Sequence, residues 1–472
     1  MKARKRRRFF VAFKPLLSVL FLTALFLLAS YYFISPKTVH VEIRDDAPWF
    51  FPAVLEIKPG TTVAWHRKTP AIHPIMSIEE PDGIGSIHSG HFTKTWSHTF
   101  TKRGLYVYIC PIHPYMKGVI AVGMKVPAEK IPSWINWPPP YKAPPGGVPT
   151  VPGKGSLWLA AQFHYITGKE KPGTLIVINA QTWELEKILD DPRLNHPHNV
   201  WEIGGKILVT NWFDLYVSVV DKTTGTLEKH VWVGESPAHI HSHTEDKIYV
   251  TLQGDDAIAI LNKDFDLVTK IRAPTGPHGH WLSADGSLMS LASTEKGMLS
   301  VWNTTSDTLL FETFIDGDTS GSGEHMHAHS LPLMAGITPD GRYAFAAASA
   351  TGTFSVVDVK EKKLLKSFDI GQGPIQTVPS PDGRYVLVPL SGSGEVAVIS
   401  TETWDLVKTI PNVGAGAHGV DYGEKQDGGW YAYVSNKFSP WLTVVDMATL
   451  DIAGYVPLPN DAWGGQGILV VR

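Results

Sequence analysis

From Ser156 to the C-terminus the chain keeps returning to one short signature, two aliphatic or aromatic residues closed by Asn, Asp or Ser. It occurs as Val177-Ile178-Asn179, Val219-Val220-Asp221, Ile260-Leu261-Asn262, Val301-Trp302-Asn303, Val356-Val357-Asp358, Val398-Ile399-Ser400 and Val444-Val445-Asp446. The copies recur about every 40–45 residues, with one longer step before Asp358. Seven strand-and-turn units at that period have the spacing of β-propeller blades. Thr338-Pro339-Asp340-Gly341-Arg342-Tyr343 and Ser380-Pro381-Asp382-Gly383-Arg384-Tyr385 supply the hairpin turns. The first copy lacks an inner strand before it, while Gly467-Ile468-Leu469-Val470-Val471 lies beyond the last. The C-terminal strand is therefore expected to complete the first blade, which removes exposed sheet edges.

The texture of these repeats resembles the YVTN and lactonase-like seven-bladed propellers over about 315 residues, here residues 154–472. That resemblance implies a fold and leaves the activity open. A chain of 472 residues is too long for one ordinary core. Residues 38–124 read as a separate small β domain. Val39-His40-Val41-Glu42-Ile43 alternates, Lys58-Pro59-Gly60 turns, and Thr61-Thr62-Val63-Ala64-Trp65 extends. Between the two, residues 125–153 carry Pro138-Pro139-Pro140 and Pro144-Pro145, the composition of a semi-extended linker. A net charge of −3 gives no support for nucleic acid as a partner. The expected class is all-β, a β-sandwich followed by a propeller, preceded by one transmembrane helix.

That helix is expected in residues 1–36. Lys2, Arg4, Lys5, Arg6, Arg7 and Arg8 precede an uncharged stretch, Leu16–Ile34, of about 19 residues. At about 1.5 Å per residue it crosses a hydrocarbon core of about 30 Å. The basic flank keeps the N-terminus cytoplasmic, so the rest faces the periplasm or cell exterior, tethered to the membrane. The alternative is a cleaved signal peptide, but no clean A-x-A site follows and the apolar stretch is long for one.

Cys110 is the single cysteine, so no intrachain disulfide forms. It opens Cys110-Pro111-Ile112-His113-Pro114-Tyr115-Met116, a C-x2-H-x2-M loop at a strand end. Thiolate, imidazole and thioether on one loop suit copper. A mononuclear site needs a second imidazole from elsewhere, and His73 in Pro70-Ala71-Ile72-His73-Pro74 is the candidate. This domain resembles the plastocyanin and amicyanin cupredoxins, Greek-key sandwiches, over some 85 residues. The resemblance implies one type 1 copper with His73, Cys110 and His113 as equatorial ligands and Met116 as the weak axial one. His40, His66, His88, His91 and His98 read as surface or hydrogen-bonded residues.

The propeller carries a second pattern. Counted back the same distance from three successive blade signatures stand His198, His239 and His280. His196, His241 and His278 lie two residues away, on the same strand face if the strands are regular. The long step before Asp358 holds His325, His327 and His329, and His418 returns near the same level in a later blade, where Gln376 takes the place in the blade between. The expected result is a ring of imidazoles at one channel mouth, able to hold copper, zinc, iron or nickel. His198, His239 and His280 are expected to be its centre, with His196, His241, His278, His327, His329 and His418 supplying further ligands. His164 and His230 fall outside the register.

A seven-bladed propeller with a histidine-ringed copper centre, joined to a cupredoxin, resembles nitrous oxide reductase. Here the domain order is reversed, and one cysteine cannot build that family's binuclear copper-A centre. The resemblance implies a copper oxidoreductase in which a type 1 copper feeds further copper in the propeller, up to a cluster, and reduces nitrous oxide to dinitrogen. It also implies a redox donor such as a cytochrome c or quinol-linked protein, and is compatible with a homodimer. Two other functions stay open: another copper oxidoreductase such as a nitrite reductase, and a non-enzymatic electron relay or copper carrier.

Overall fold

The computed structural model describes residues 38–44, 47–69, 73–81, 87–90, 92–110, 116–132, 142–164, 171–315, 330–459 and 462–472. It is all-β, and the one helical element among the described residues is a 3-10 turn, Ala128–Lys130. No described helix is long and apolar enough to cross a membrane. The expected span Leu16–Ile34 lies outside the described residues, as do His113, His325, His327 and His329.

Residues 38–122 form two four-stranded sheets. One runs Phe50–Phe51, Thr38–Ile43, Thr61–Arg67, Thr95–Phe100, with the middle pair parallel. The other runs Val54–Ile57, Lys117–Val122, Gly104–Ile109, Met76–Glu79, with the first pair parallel. Val41, Ile43, Val63 and Trp65 from the first meet Tyr106, Tyr108, Ile120 and Val122 from the second in one buried core. Trp65 stands edge-on to Tyr108, ring centroids 5.4 Å apart. Alternation along Thr38–Ile43 places Val41 and Ile43 inward and leaves His40 exposed.

The remaining strands form seven four-stranded antiparallel blades of a β-propeller, the fourth and fifth joined into one eight-stranded sheet by a parallel bridge between Gly279 and Met334. The second blade shows the plan: Pro197–Ile203 innermost, then Lys206–Asn211, Tyr216–Asp221 and Leu227–Trp232. Neighbouring blades bury aliphatic faces against each other, as Leu208 and Val219 do against Ile240 and Val250. The polar residue of each signature closes a turn. Asn179 Oδ1 accepts the amides of Gln181 and Thr182, Asp221 those of Thr223 and Thr224, and Asn303 those of Thr305 and Ser306. As expected, the C-terminal strand Gly465–Val471 pairs antiparallel with Ser156–Ala161 and supplies the first blade's innermost strand.

The proline-rich segment is not a free spacer over its described C-terminal part. Val151 O accepts from the Tyr431 hydroxyl, Pro149 O from the Trp183 indole, and Gly147 O from the Tyr455 amide. It lies along the first and seventh blades. The sandwich core also continues into the propeller without a polar break: Phe163, Trp212, Phe213, Ala238 and Trp463 belong to the same buried cluster as Val63 and Tyr108.

Candidate functional site

The innermost strands are irregular at one level, and that irregularity aims the histidines. Six of the seven have a register shift just after their start, between Pro197 and Val200, Pro237 and Ile240, Pro277 and His280, Pro332 and Met334, Ala417 and Val420, and Gly465 and Ile468, while the short Val378–Pro379 has none. A bulge adds a residue to one strand, bends it and re-aims side chains. The residues in these bulges include His198, His239, His278, His418 and Gln466. Next to several of them stands glycine, because the neighbouring innermost strand comes too close for a side chain. A Cβ on Gly279 would lie 2.6 Å from Leu333 O, and one on Gly467 2.6 Å from His198 O.

Three imidazoles converge. One ligand nitrogen from each of His198, His239 and His278 lies within 4.8 Å of the others, and all three residues are buried. Ring centroids are 5.2 Å apart for His198 and His239, 5.1 Å for His198 and His278, and 4.9 Å for His239 and His278. Such a group could hold a metal ion. His278 Nδ1–H donates to Leu333 O at 2.6 Å, which leaves the Nε2 lone pair with no hydrogen-bond partner. The Gln466 side-chain amide lies 2.6 Å from His198 Nδ1. With the amide oxygen turned to the ring, Nδ1–H donates to the otherwise unsatisfied Gln466 Oε1, and His198 Nε2 keeps a lone pair with no hydrogen-bond partner. Thr251 fixes the backbone of the other two: its hydroxyl accepts from His239 N at 3.0 Å and donates to His278 O at 2.6 Å.

Buried polar atoms without partners are costly, about 1–3 kcal/mol each. Here they cluster: Nε2 of His198, Nε2 of His278, both nitrogens of His280 and Nδ1 of His418. Burial, then mutual repulsion, holds His198 and His239 well below the ordinary histidine range; burial lowers His418 likewise, with Lys437 the next cause. Burial pushes His278 down to about 4 and His280 to about 3. All are neutral near pH 7, the state that binds metal. In the unfolded chain these rings take up protons below about pH 6.5. Lowered folded-state values mean that stability is complete above that pH and is lost as the pH falls. The metal-free protein should therefore weaken between pH 6.5 and about 4, each such ring adding about 1.4 kcal/mol per pH unit. Urea unfolding at pH 7 and pH 5 measures this, and equal midpoints would mean that the rings are solvated.

The converging set differs from the expected one in one member. His278 joins His198 and His239, and His280 does not. Counting back from the blade signature crosses the first hairpin, whose turn is Gly204-Gly205 in the second blade but spans 283–287 in the fourth. The count therefore drifts. Counted from the prolines that open the strands, His198 and His278 each stand one residue after Pro197 and Pro277, and His239 two after Pro237. His280 lies further along its strand, beside a small deeper cavity that His239 also lines.

The two-residue pairs do not share one space, since a bulge breaks the alternation on which that expectation rests. His241 sits between Trp201 and Trp281, centroids 4.2 and 4.4 Å away, and its Nδ1 accepts from Leu282 N. His196 stacks on Phe213 at 4.0 Å, with Nδ1 bonded to Asn195 Oδ1 at 2.9 Å. His418 does approach, its ring 6.3 Å from that of His198. Gln376 ties strands together, its Oε1 accepting from Val420 N.

In the sandwich, Cys110, His73 and Met116 are all fully buried. His73 Nδ1 lies 3.8 Å from Cys110 Sγ, and His73 Nε2 bonds Thr69 Oγ1 at 3.1 Å. One metal with bonds of about 2.0–2.3 Å would span that nitrogen–sulfur gap. Cys110 N donates to Met116 O at 3.1 Å and so holds these two residues together. Burial, with the Arg67 charge second, pushes His73 down to about 3 and keeps it neutral. His40 and His66 hydrogen-bond one another at 2.7 Å on the exposed face.

A cavity of about 1030 Å³ opens onto the imidazoles. His198, His278, His418 and Lys437 line it from the propeller, and Lys117, beside Met116, from the sandwich. Among the described residues no Asp or Glu lines it. Lys437 is buried, and burial pushes its ammonium well below the ordinary lysine range. Sequence reasoning passed over Lys437, Gln466, Trp212 and Phe213. No spacing marks them, although Gln466 occupies the bulge position that holds histidine in other blades.

No known family model matches the chain, and no curated protein matches its sequence. Solved structures with the same fold include a protein of unknown function from Desulfotomaculum acetoxidans, at 14% identity and TM-score 0.53, covering 68% of this chain and 99% of that one. A putative 6-phosphogluconolactonase from Bacteroides uniformis gives 16% identity and TM-score 0.51, covering 67% and 100%. A Lactobacillus plantarum protein gives 13% and 0.52, covering 67% and 99%. At these identities they share the β-propeller alone.

Proposed function

We propose that this chain is a copper-dependent oxidoreductase, in which a cupredoxin domain passes electrons to a copper site in a seven-bladed propeller, and that its substrate is nitrous oxide. The observation that carries this reading is the cluster of buried neutral imidazoles under the domain that holds Cys110, His73 and Met116. His418 brings a further orphaned nitrogen toward those of His198 and His278, and His280, beside the second cavity that His239 also lines, carries two more. That favours more than one copper. Copper bound there would supply one-electron chemistry and a coordination site for a small ligand.

The reaction takes up two electrons and two protons: N2O + 2H⁺ + 2e⁻ → N2 + H2O. The chain's own part is to admit the molecule and handle the protons. The cavity reaches His198, His278 and His418, and Trp212 and Trp463 supply part of its apolar lining. Lys437, buried in the same lining, can give up a proton at Nζ more readily than an exposed lysine, because burial lowers its affinity for one. Electrons come from a donor such as a cytochrome c or quinol-linked protein on the exported side of the membrane.

A second reading, nitrite reduction at one type 2 copper, is favoured by the triad His198, His239 and His278 and by a cavity that Lys117, Lys142 and Lys437 line, with no carboxylate among its described lining residues, which attracts an anion. Metal analysis of protein matured in a copper-replete host separates the cases. About five coppers per chain support the cluster and about two the type 2 site. About one, with no turnover of either substrate, leaves only an electron relay.

A further inference from the structure

The two candidate copper sites are joined by an unbroken line of buried rings. His73 packs on Phe213, centroids 5.2 Å apart. Phe213 meets Trp212 edge-on at 6.3 Å. Trp212 lies against His198 at 4.0 Å and His278 at 5.4 Å. Both bridging residues are 2% exposed or less. They occupy the turn between Lys206–Asn211 and Tyr216–Asp221 of the second blade, at the blade end that meets the sandwich. The Trp212 indole is fixed by its bond to Gln253 Oε1 at 3.2 Å, and Gln253 in turn donates to Thr294.

Resting on the function proposed above, we infer that Phe213 and Trp212 form an intramolecular electron bridge from the His73–Cys110 site to the His198–His239–His278 site of the same chain. One electron crosses per event. With copper bound at both sites, the His73–Cys110 site would lose one electron and the His198–His239–His278 site would gain it, with no bond formed or broken and no proton moved. The bridging rings are in ring contact with each other and with a candidate ligand of each site, and Trp212 also lines the cavity. A partner subunit is not needed to complete the path.

The test uses the full, copper-loaded chain. A photoexcited one-electron donor reduces the sandwich copper, and recovery of its blue absorption reports onward transfer. The expected result is a first-order recovery whose rate does not depend on protein concentration. Trp212→Leu and Phe213→Leu open a void in the path and should slow that recovery about tenfold or more, leaving copper content and the blue spectrum unchanged. Trp212→Phe should restore most of the rate, which a purely structural role would not predict. Recovery at the wild-type rate in both leucine variants, or a rate proportional to protein concentration, would overturn the bridge. Absence of blue colour, or of copper in the propeller, would instead overturn the proposed function from which it starts.

Discussion

Cys110→Ser should abolish the blue colour of the oxidised protein completely. The absorption, expected at roughly 600 nm for a short copper–thiolate bond, needs the sulfur, and no second cysteine can replace it. The substitution itself is mild. Cys110 is fully buried beside His73 and Met116, and serine is of similar shape, so the sandwich should still fold. Met116→Leu should behave differently. In the proposed type 1 site its thioether would be the weak axial ligand, so colour should persist and the reduction potential should rise. Absorption spectra and potentiometry of the full chain measure both. Colour that survives Cys110→Ser would remove the type 1 assignment, and with it the source of electrons for the propeller.

The sequence made the repeat legible because the blade signature is a local event. Asn179, Asp221 and Asn303 each close a turn with amides two or three residues on, and such chemistry is written in neighbouring residues. Closure by Gly465–Val471 followed from the same counting. The histidine ring was legible in kind and misplaced in detail. His198 and His239 were placed, but His280 was taken for His278, since hairpins of unequal length separate the innermost strand from the signature used for counting. A bulge is not a sequence pattern either. Nothing in Pro277-His278-Gly279-His280 announces that alternation stops there, although the glycine after His278 marks a close backbone approach. The seam between sandwich and propeller was hidden altogether. Trp212 and Phe213 look like ordinary core residues until the fold sets His73 against one face and His198 against the other.

Replacing His198, His239 and His278 together by alanine should remove the propeller copper and bring nitrous oxide reduction to background, while the type 1 colour remains. The three nitrogens lie within 4.8 Å of one another, so each loss opens the same site. Copper per chain should fall to about one. His278→Ala alone should be severe, because it also leaves the Leu333 carbonyl without its donor. His241→Asn provides the contrast: that ring is held by Leu282 N between two tryptophans, so copper per folded chain should not change. Thr251→Val lies between these extremes. Its hydroxyl touches no metal but ties the backbones of His239 and His278, and losing it should weaken copper binding by about 10–100-fold, as for other supporting groups. Metal analysis after dialysis against a graded chelator ranks all four. Full copper content in the triple variant would show that these imidazoles are not ligands, and the propeller would then have to act without them.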